Sequence, residues 1–132
     1  MRITVRPSVG DDASMLREHA EGARRESASY RGSLDPVAVD SGAVVEIDGF
    51  PVGSVTYVDE AHVRTVGVLH VLATYRGVGA GDALLEWLVR DSAERGITSL
   101  RAAALPGDRQ TKNLFERHGL IARAIQVERI LD

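Results

Sequence analysis

The sequence predicts a single α/β domain, spanning residues 1–132, built around a mixed central sheet. Short apolar runs typical of strands are interleaved with segments of helical periodicity. The 132 residues match the size of one domain, and no internal repeat or low-complexity linker divides them. The predicted order is β-α-(loop)-β-β-β-α-β-α-β, an order that packs helices against one sheet.

Composition narrows the function classes. Apolar residues make up 44% of the chain and charged residues 27%, an ordinary balance for a globular protein. A net charge of -3 gives no broad attraction to nucleic acid or to an anionic membrane, and we expect neither partner. The absence of cysteine excludes disulfides and thiolate catalysis, and no metal site is expected. Without a signal-peptide pattern or an apolar run of membrane-spanning length, we expect a cytoplasmic protein.

The first elements are a strand and a helix. Alternation at residues 3–5 predicts a short strand that Pro7 ends. Asp11 or Asp12 can cap the helix that follows. Its apolar stripe consists of Met15, Leu16, His19, Ala20 and Ala23. Residues 26–41 are rich in Ser, Gly and turn signals and predict a loop.

A hairpin and a buried strand come next. Segments Ala43–Ile47 and Val52–Val58 flank Asp48-Gly49, a favoured reversing pair. Pro51 beside the turn predicts a loop slightly longer than two residues. The almost continuously apolar run Val63–Leu72 predicts a strand buried on both faces.

The C-terminal part alternates helix and strand. Leu84, Leu85, Leu88 and Val89 mark one side of a helix that Gly96 ends. The remaining predicted elements are a strand at Ile97–Leu105, a helix at Arg109–His118 capped by Asp108 and closed by Gly119, and a final strand at Ala124–Leu131.

The loop Arg76-Gly77-Val78-Gly79-Ala80-Gly81 lies between a strand and a helix and is suited to bind phosphate. Residues without Cβ atoms let the backbone approach a ligand and allow several N–H groups to converge. The start of the helix adds unpaired donors and a partial positive charge. Arg76 supplies a full charge at the mouth, so the loop predicts a pyrophosphate site.

Two nucleotide motifs do not fit this loop. The dinucleotide fingerprint requires a third glycine where the chain has Asp82 or Leu84. The nucleotide P-loop requires Gly-Lys-Ser/Thr, and the only lysine of the chain is Lys112. On the glycines alone, a strand-to-helix turn that binds nothing explains the sequence nearly as well.

Three segments resemble the GCN5-related N-acetyltransferases (the GNAT family). Residues 69–85 are similar to the family's core motif, in which a strand and a short turn lead into Arg/Gln-x-x-Gly-x-Gly/Ala at the start of a helix. Residues 104–108 and 114–120 are similar to its second helix and the glycine that closes it. The resemblance implies a sheet of about six to seven strands, acetyl-CoA as co-substrate, transfer of the acetyl group to an amine, and a homodimer.

The resemblance also assigns roles to residues. Main-chain groups at Leu69, His70 and Val71 would bind the acetyl carbonyl and the pantetheine arm, with Val71 pairing like an extra strand. The strands around Leu72 and Leu105 would separate to admit this arm. The further cofactor-binding positions that it implies are Arg76, Gly77, Val78, Gly79, Ala80, Gly81 and Asp82 for the pyrophosphate, together with Asp108 and Phe115.

Three positions depart from the family pattern. Thr65 stands where many members have a glutamate base, and Phe115 stands where many have a tyrosine acid. Asp108 replaces a common asparagine. His70 is the candidate base, because it lies beside the implied thioester and an ordinary histidine pKa of about 6.5 suits proton transfer. A packed, inert histidine is the alternative interpretation.

The other candidate side chains have plainer interpretations. His118 is expected to be satisfied at a helix end, and His19 and His62 are expected to lie at the surface or on a helix face. Trp87 is expected to pack rather than bind. Four residues could reach a cleft but are not placed by the sequence, namely Tyr57, Asp59, Glu60 and Tyr75, and Arg24-Arg25 is expected to be a solvated helix end.

Three hypotheses remain open. The first is an acetyl-CoA-dependent N-acetyltransferase that acts by direct attack of a small-molecule or peptide primary amine. Contacts to the acceptor are then expected from residues 21–40 and from the hairpin. The second is a non-catalytic acyl-CoA-binding or regulatory module, suggested by Thr65 and Phe115. The third is an α/β interaction domain without a ligand.

Overall fold

The computed structural model describes residues 1–36 and 41–131, and within them the sheet has five strands rather than six to seven. The strands are β1 (Ile3–Pro7), β2 (Ser41–Ile47), β3 (Phe50–Glu60), β4 (Val63–Val71) and β5 (Ser99–Arg101). They follow one another in chain order across the sheet. The first four are antiparallel to their neighbours, whereas β4 and β5 are parallel, so the predicted mixed sheet is confirmed.

Three helices accompany the sheet in the described residues: α1 (Ala13–Ser27), α2 (Ala80–Glu94) and α3 (Arg109–Arg117). Helix α1 follows a 3-10 turn at Gly10–Asp12, and Asp12 accepts a hydrogen bond from the Val9 N–H (2.8 Å). Gly96 follows α2 with φ +75°, as expected for a helix-ending glycine. None of the helices in the described part of the chain has the length and apolar character needed to cross a membrane.

The two long helices cover opposite faces of the sheet. Helix α2 covers an apolar face on which Leu84 and Leu88 pack against strand residues. Those strand residues are Ala43, Val45, Ile47, Val52, Val55, Tyr57, Val66 and Val71. Helix α1 covers the other face, where Ser54 and His70 are paired neighbours on β3 and β4. The chemistry of the molecule is therefore divided between an apolar face and a polar one.

A bulge in β4 decides which face His70 joins. Val55 pairs with Leu69 and Tyr57 pairs with Val66, so β4 has one residue more than β3 between these pairs. The Thr56 Oγ1 accepts a hydrogen bond from the N–H of Val68 inside the bulge (3.0 Å). Because the extra residue inverts the alternation of side chains, residues 64 and 66 face α2 before the bulge, and residues 69 and 71 face it afterwards. His70 therefore faces α1.

The hairpin turn is shorter than predicted. Ile47 pairs directly with Phe50, so Asp48 and Gly49 form a two-residue turn with φ values of 51° and 82°. The irregularity that Pro51 introduces lies instead in the strands, as a register shift between Val45 and Glu46. Proline has no N–H to donate to a ladder, and a bulge accommodates it without a longer loop.

Two strand predictions at the C-terminal end were too generous. The strand predicted at Ile97–Leu105 is reduced to Ser99–Arg101, because its pairing with β4 ends at Thr65 and Arg101. The strand predicted at Ala124–Leu131 is wrong: these residues form no strand and are exposed. An alternating pattern forms a strand only when a sheet edge pairs with it, and no edge among the described residues does so.

Two further predictions concern segments around the first helix. The predicted loop at residues 26–41 begins after Ser27, because α1 extends to that residue. Its residues 37–40, which also belong to the expected acceptor region, lie outside the described residues.

Candidate active site

A cleft of about 1410 Å³ opens where β4 and β5 separate. Residues Val63–Thr65 of β4 pair with Ser99–Arg101 of β5. Beyond these pairs β4 continues to Val71 without a partner on this side. The cleft runs between residues 65–71 on one side and residues 101–105 on the other. It continues to the second half of α1 and to the glycine loop. The predicted separation of the strands before Leu72 and Leu105 is thus present.

The edge of β4 offers main-chain groups to this cleft. Leu72 N–H donates to Val52 O (2.9 Å) across β3, so the main-chain groups of Val71 point the other way, toward the cleft. The same alternation directs those of Leu69 toward the cleft. The Val71 carbonyl is already engaged, because it accepts a hydrogen bond from Arg76 Nε (2.9 Å).

The glycine loop presents unpaired donors. Gly77 and Gly79 have φ values of 79° and 95°, a region that residues with a Cβ atom rarely adopt. The first bond that returns to the loop is from Ala83 N–H to Gly79 O (3.0 Å). Within the described part of the chain, no acceptor bonds the N–H groups of residues 77–82. With the dipole of α2 behind them, these groups form a site for an anion.

Arg76 does not supply the free positive charge that the sequence suggested. Its Nη2 donates to both carboxylate oxygens of Glu26 on α1, at 2.6 and 2.8 Å. Together with the bond to Val71, this pair joins α1, β4 and the glycine loop at one point. Positive potential at the loop therefore comes mainly from backbone groups.

The remaining predicted cofactor positions cluster around α3. Asp108 caps this helix by accepting hydrogen bonds from the N–H (3.2 Å) and the Oγ1 (2.7 Å) of Thr111. Phe115 is buried and lines the cleft. Gly81 packs closely on α3, since a Cβ atom there would lie 3.2 Å from Leu114 Cδ2.

Asp82 anchors the end of α3 to the start of α2. It accepts hydrogen bonds from Arg117 and lies 2.7 Å from His118 Nε2. These contacts, His118 first, lower the pKa of Asp82 below its ordinary value. His118 is thereby satisfied at a helix end, as expected, and its contact is structural.

No carboxylate takes the position of the missing base. Thr65 and Phe115 both line the cleft, and neither accepts a proton near neutral pH. Of the acidic residues that line it in the described part of the chain, Glu26, Asp82 and Asp108 are engaged as described above. Asp35 is exposed.

His70 is buried, and its side chain has no hydrogen-bond partner among the described residues. It lines the large cleft and also a smaller cavity of about 440 Å³ beneath α1. Because no fully buried side-chain nitrogen or oxygen of the described residues lacks a hydrogen-bond partner, the unbonded ring nitrogens of His70 must be accessible. Burial lowers its pKa, against the opposing effect of Glu26, and Arg76 and Arg25 lower it further. The imidazole is therefore neutral, and able to accept a proton, near pH 7.

Of the two placements expected for His19, the surface and a helix face, the structure has the second. His19 is 5% exposed, and its Nδ1 lies 2.6 Å from Ser54 Oγ. The ring centroids of His19 and His70 are 5.6 Å apart. Its place in the apolar stripe of α1 was the available signal, since a stripe residue faces the sheet. His62 is exposed, as expected.

A second buried polar cluster was missed. Arg64 is fully buried; its Nε donates to Asp59 Oδ1 (2.8 Å), its Nη1 donates to Asp91 Oδ2 (2.9 Å), and its guanidinium lies over the Tyr57 ring. Tyr57 and Asp59 thus belong to this cluster and not to the cleft. Of the other two unplaced candidates, Tyr75 lines the cleft and Glu60 is exposed outside it. As expected, Trp87 packs against the core and Arg24 is exposed near the end of α1.

Solved structures similar to this fold include several acetyltransferases. A GCN5-related N-acetyltransferase from Ralstonia eutropha JMP134 has a TM-score of 0.75 at 20% identity, covering 98% of this chain and 99% of that one. A ribosomal-protein-alanine N-acetyltransferase from Brucella melitensis biovar Abortus 2308 has a TM-score of 0.71 at 18% identity, with 99% of both chains covered. AAC(6')-Iy in complex with the bisubstrate analog CoA-S-monomethyl-acetylneamine has a TM-score of 0.67 at 15% identity, covering 99% and 100%.

At these identities the likeness concerns the fold, and no curated protein sequence matches the chain significantly. Membership is decided by a family model. The model described as "Acetyltransferase (GNAT) family" matches residues 13–120, from the first turn of α1 to the end of α3. This span includes the glycine loop, both buried histidines and every residue that lines the cleft except Gln126. The chain therefore belongs to the GNAT acetyltransferase family, a family of acyltransferase enzymes.

Proposed function

We propose that the chain is an acetyl-CoA-dependent N-acetyltransferase that acetylates a primary amine of a small molecule or a peptide. The observation that carries this proposal is the cleft between β4 and β5, which ends at the unpaired N–H groups of the glycine loop. One end of the cleft suits a pyrophosphate, and the open edge of β4 suits an amide-bearing arm that pairs like a strand. A neighbour of the same fold was crystallised with a CoA bisubstrate analog, which supports this assignment.

In this proposal, each part of acetyl-CoA binds to a different part of the cleft. The N–H groups of residues 77–82 bind the pyrophosphate, and the strand edge at Leu69 and Val71 binds the pantetheine arm. The thioester then lies beside the bulge in β4, where main-chain N–H groups can stabilise an oxyanion. Asp108 and Phe115 border the cleft from the side of α3.

The reaction is a direct displacement. The neutral amine attacks the thioester carbonyl carbon, the N–C bond forms, and the C–S bond breaks. One amine proton passes to His70, and the departing thiolate takes a proton from solvent or from the imidazolium. A positioned general base contributes about 10²- to 10⁴-fold in such a step, and holding both substrates together contributes through orientation.

The acceptor class is a primary amine. Among the neighbours described above, two have names that mention an acceptor, an alanine of a ribosomal protein and a neamine derivative, and both are amine acceptors. In this chain the acceptor reaches the thioester past the second half of α1 and residues 30–36, which line the far end of the cleft.

A non-catalytic acyl-CoA-binding module is the second candidate function. Thr65 and Phe115 support it, because they line the cleft at positions where many family members have a glutamate base and a tyrosine acid. Two measurements separate the candidates. Acetyl-CoA well above its Kd raises the thermal midpoint in both cases by mass action. Only the enzyme releases free CoA thiol when a panel of amines, amino acids and peptides is added.

These measurements also decide the proposal itself. An acceptor-dependent release of thiol, with the acetylated amine identified by mass spectrometry, is the expected result. A raised midpoint without thiol release from any acceptor favours the binding module. No shift at millimolar acetyl-CoA removes both candidates.

We also propose that the chain forms a homodimer through its C-terminal segment, residues 121–131. All of these residues are exposed, including the large apolar side chains of Ile121, Ile125, Val127, Ile130 and Leu131. The outer edge of β5 is unpaired in the described residues, and each copy offers the same segment and the same edge. A specific dimer needs an interface on the order of 1,000 Å², and in this proposal the segments and β5 edges of both copies supply it together.

The mass in solution tests the dimer. Light scattering is expected to give twice the chain mass for the wild type and the chain mass for Ile125→Asp/Val127→Asp. The control is Val9→Asp/Val89→Asp, which adds the same negative charge at two exposed apolar residues outside this segment. A wild-type monomer at high micromolar concentration contradicts the dimer.

A further inference from the structure

The polar face beneath α1 holds a second histidine that the proposed reaction does not use. His19, Ser54 and His70 are 5%, 1% and 7% exposed, and they come from α1, β3 and β4. Three apolar side chains would fill this place at no cost in desolvation, whereas each polar group loses contact with water. Their presence requires a reason other than packing.

The two histidines differ in how their ring nitrogens are used. His19 Nδ1 is bonded to Ser54 Oγ at 2.6 Å, which fixes the plane of its ring. His70 has no such bond in the described residues, although its ring reaches two cavities. The tilt between the rings is 48°, so His19 presents a fixed surface against which the His70 ring rests. Because the His19 ring is held in place, it can limit the orientations that the free His70 ring adopts.

Gly22 shows that α1 leaves room for the free ring. A Cβ atom at this position would lie 3.1 Å from His70 Nε2 and 3.3 Å from Cε1. Glycine in the middle of a helix is unfavourable relative to alanine. Helix α1 therefore gives up local stability at the position that faces His70, one turn after His19.

The surroundings keep both rings neutral. Burial lowers the pKa of His19, and the neighbouring His70 lowers it further, against Glu18. The groups that face His70 are Glu26 and Arg25 from α1 and Arg76 from the glycine loop, and Glu26 and Arg76 neutralise each other. A proton on one ring disfavours a proton on the other, because like charges 5.6 Å apart repel in a buried site.

We propose that His19, held by Ser54, is a positioning residue that orients the His70 ring for proton transfer from the attacking amine. This rests on the proposed acetyl transfer. His70 accepts the proton on the side of the large cleft. The small cavity that it shares with His19 connects it to solvent, through which the imidazolium loses the proton after the N–C bond has formed and the C–S bond has broken.

Two substitutions separate the functions of the His19 ring. His19→Asn keeps a hydrogen-bonding group near Ser54 but removes the surface against His70, and His19→Phe keeps a ring but loses the bond. Each is expected to lower kcat about 10- to 100-fold with little change in KM for acetyl-CoA, since small misplacements of a reacting group have effects of this size. His62→Gln, which removes an exposed histidine, is the control and is expected to leave kcat unchanged.

A merely structural effect has a different signature. In a His70→Gln background, His19→Phe is expected to lower kcat no further, because both act on the same proton transfer. The pH profile of kcat is expected to shift its acidic limb in His19→Phe and to lose that limb in His70→Gln. An equal loss of kcat in both backgrounds, or an unchanged rate and pH profile in both His19 variants, overturns the proposal.

A measurement independent of activity keeps the inference testable if no acetyl transfer is found. Imidazole NMR titration of the folded protein reports the pKa of His70 and the rotation of its ring. In His19→Phe and Ser54→Ala, the His70 resonances are expected to broaden and its pKa to change, whereas those of His118 stay constant. Unchanged His70 resonances in both variants overturn the positioning role, whatever the assay of acetyl transfer shows.

Discussion

The two faces of the sheet serve different ends. The face under α2 is filled by aliphatic side chains, and its one buried ionic cluster in the described residues is fully paired, with Arg64 between Asp59 and Asp91. The face under α1 carries His19, Ser54 and His70, and the last of these has no partner among the described residues. Buried polar side chains that are fully paired stabilise the fold, whereas a polar side chain without a partner is available for chemistry. Stability and reactivity are therefore expected to respond to different mutations.

The largest effect on stability is expected on the α2 face. Leu88→Ala removes a fully buried side chain from the core, and we expect the free energy of unfolding to fall by about 2–5 kcal/mol. Urea denaturation measures the change. The neighbouring Val89→Ala, at a position 42% exposed, is the control and is expected to cost less than about 1 kcal/mol. If Leu88→Ala instead left stability unchanged and removed acetyl-CoA binding, the division between the faces would be wrong.

A second substitution tests the loop where the two faces meet. Gly77 has φ +79°, and a Cβ atom added there would meet nothing within 4 Å, so Asn or Asp fits there with a similar backbone strain. Only Asp adds a negative charge beside the anion site. We expect Gly77→Asp to weaken acetyl-CoA binding at least about 10-fold relative to Gly77→Asn, measured by calorimetry. Equal affinity of the two variants would place the pyrophosphate elsewhere.

Much of the α2 face could be predicted from the sequence, whereas the α1 face could not. The strands at residues 43–47 and 63–72, the helix ended by Gly96 and the Asp108 cap all follow from local patterns, and the structure contains them. The orientation of His70 depends on a bulge between β3 and β4, which no local pattern in β4 encodes. Arg76 is not a free positive charge because it pairs with Glu26, fifty residues away. Contacts between residues distant in sequence thus determine the orientation of His70 and the pairing of Arg76, and local patterns cannot predict them.

The C-terminal segment is a case in which a clear local pattern predicts an element that the structure lacks. Residues 124–131 have a clear alternating pattern, and yet the structure places no strand there. The pattern reports a preference for pairing and does not supply the edge that satisfies it. The predicted strand is therefore wrong, because an alternating pattern alone does not form one.

Acid tests how α1 is attached to its face. Arg6 donates two hydrogen bonds to Asp12, at 2.8 and 2.9 Å, and with the Val9 N–H it lowers the pKa of Asp12 from 3.8 to about 2. The folded pKa lies below the unfolded one, so this contribution is present above about pH 4 and is lost as the pH falls toward 2. We expect Arg6→Gln to be about 1 kcal/mol less stable than wild type at pH 7, after screening.

The difference between the two proteins is expected to shrink as the pH falls from 4 to 2, and denaturation at several pH values measures it. Arg17→Gln, which removes an exposed arginine of α1, is the control for the change in net charge. A difference that stays constant down to pH 2 would mean that Arg6 stabilises α1 by packing and not through Asp12.

The smallest expected effect concerns Gly22 and is the most direct comparison of stability with reactivity on one face. Alanine in the middle of α1 is favoured over glycine by about 0.5–1 kcal/mol, but its Cβ atom would lie 3.1 Å from His70 Nε2. We expect Gly22→Ala to leave stability nearly unchanged in the wild type, because crowding of the imidazole offsets the gain. In a His70→Ala background, where the crowding is absent, the full gain is expected. Denaturation of the four proteins gives the coupling between the two residues, and a coupling near zero would show that His70 moves aside freely and that α1 does not hold its ring in place.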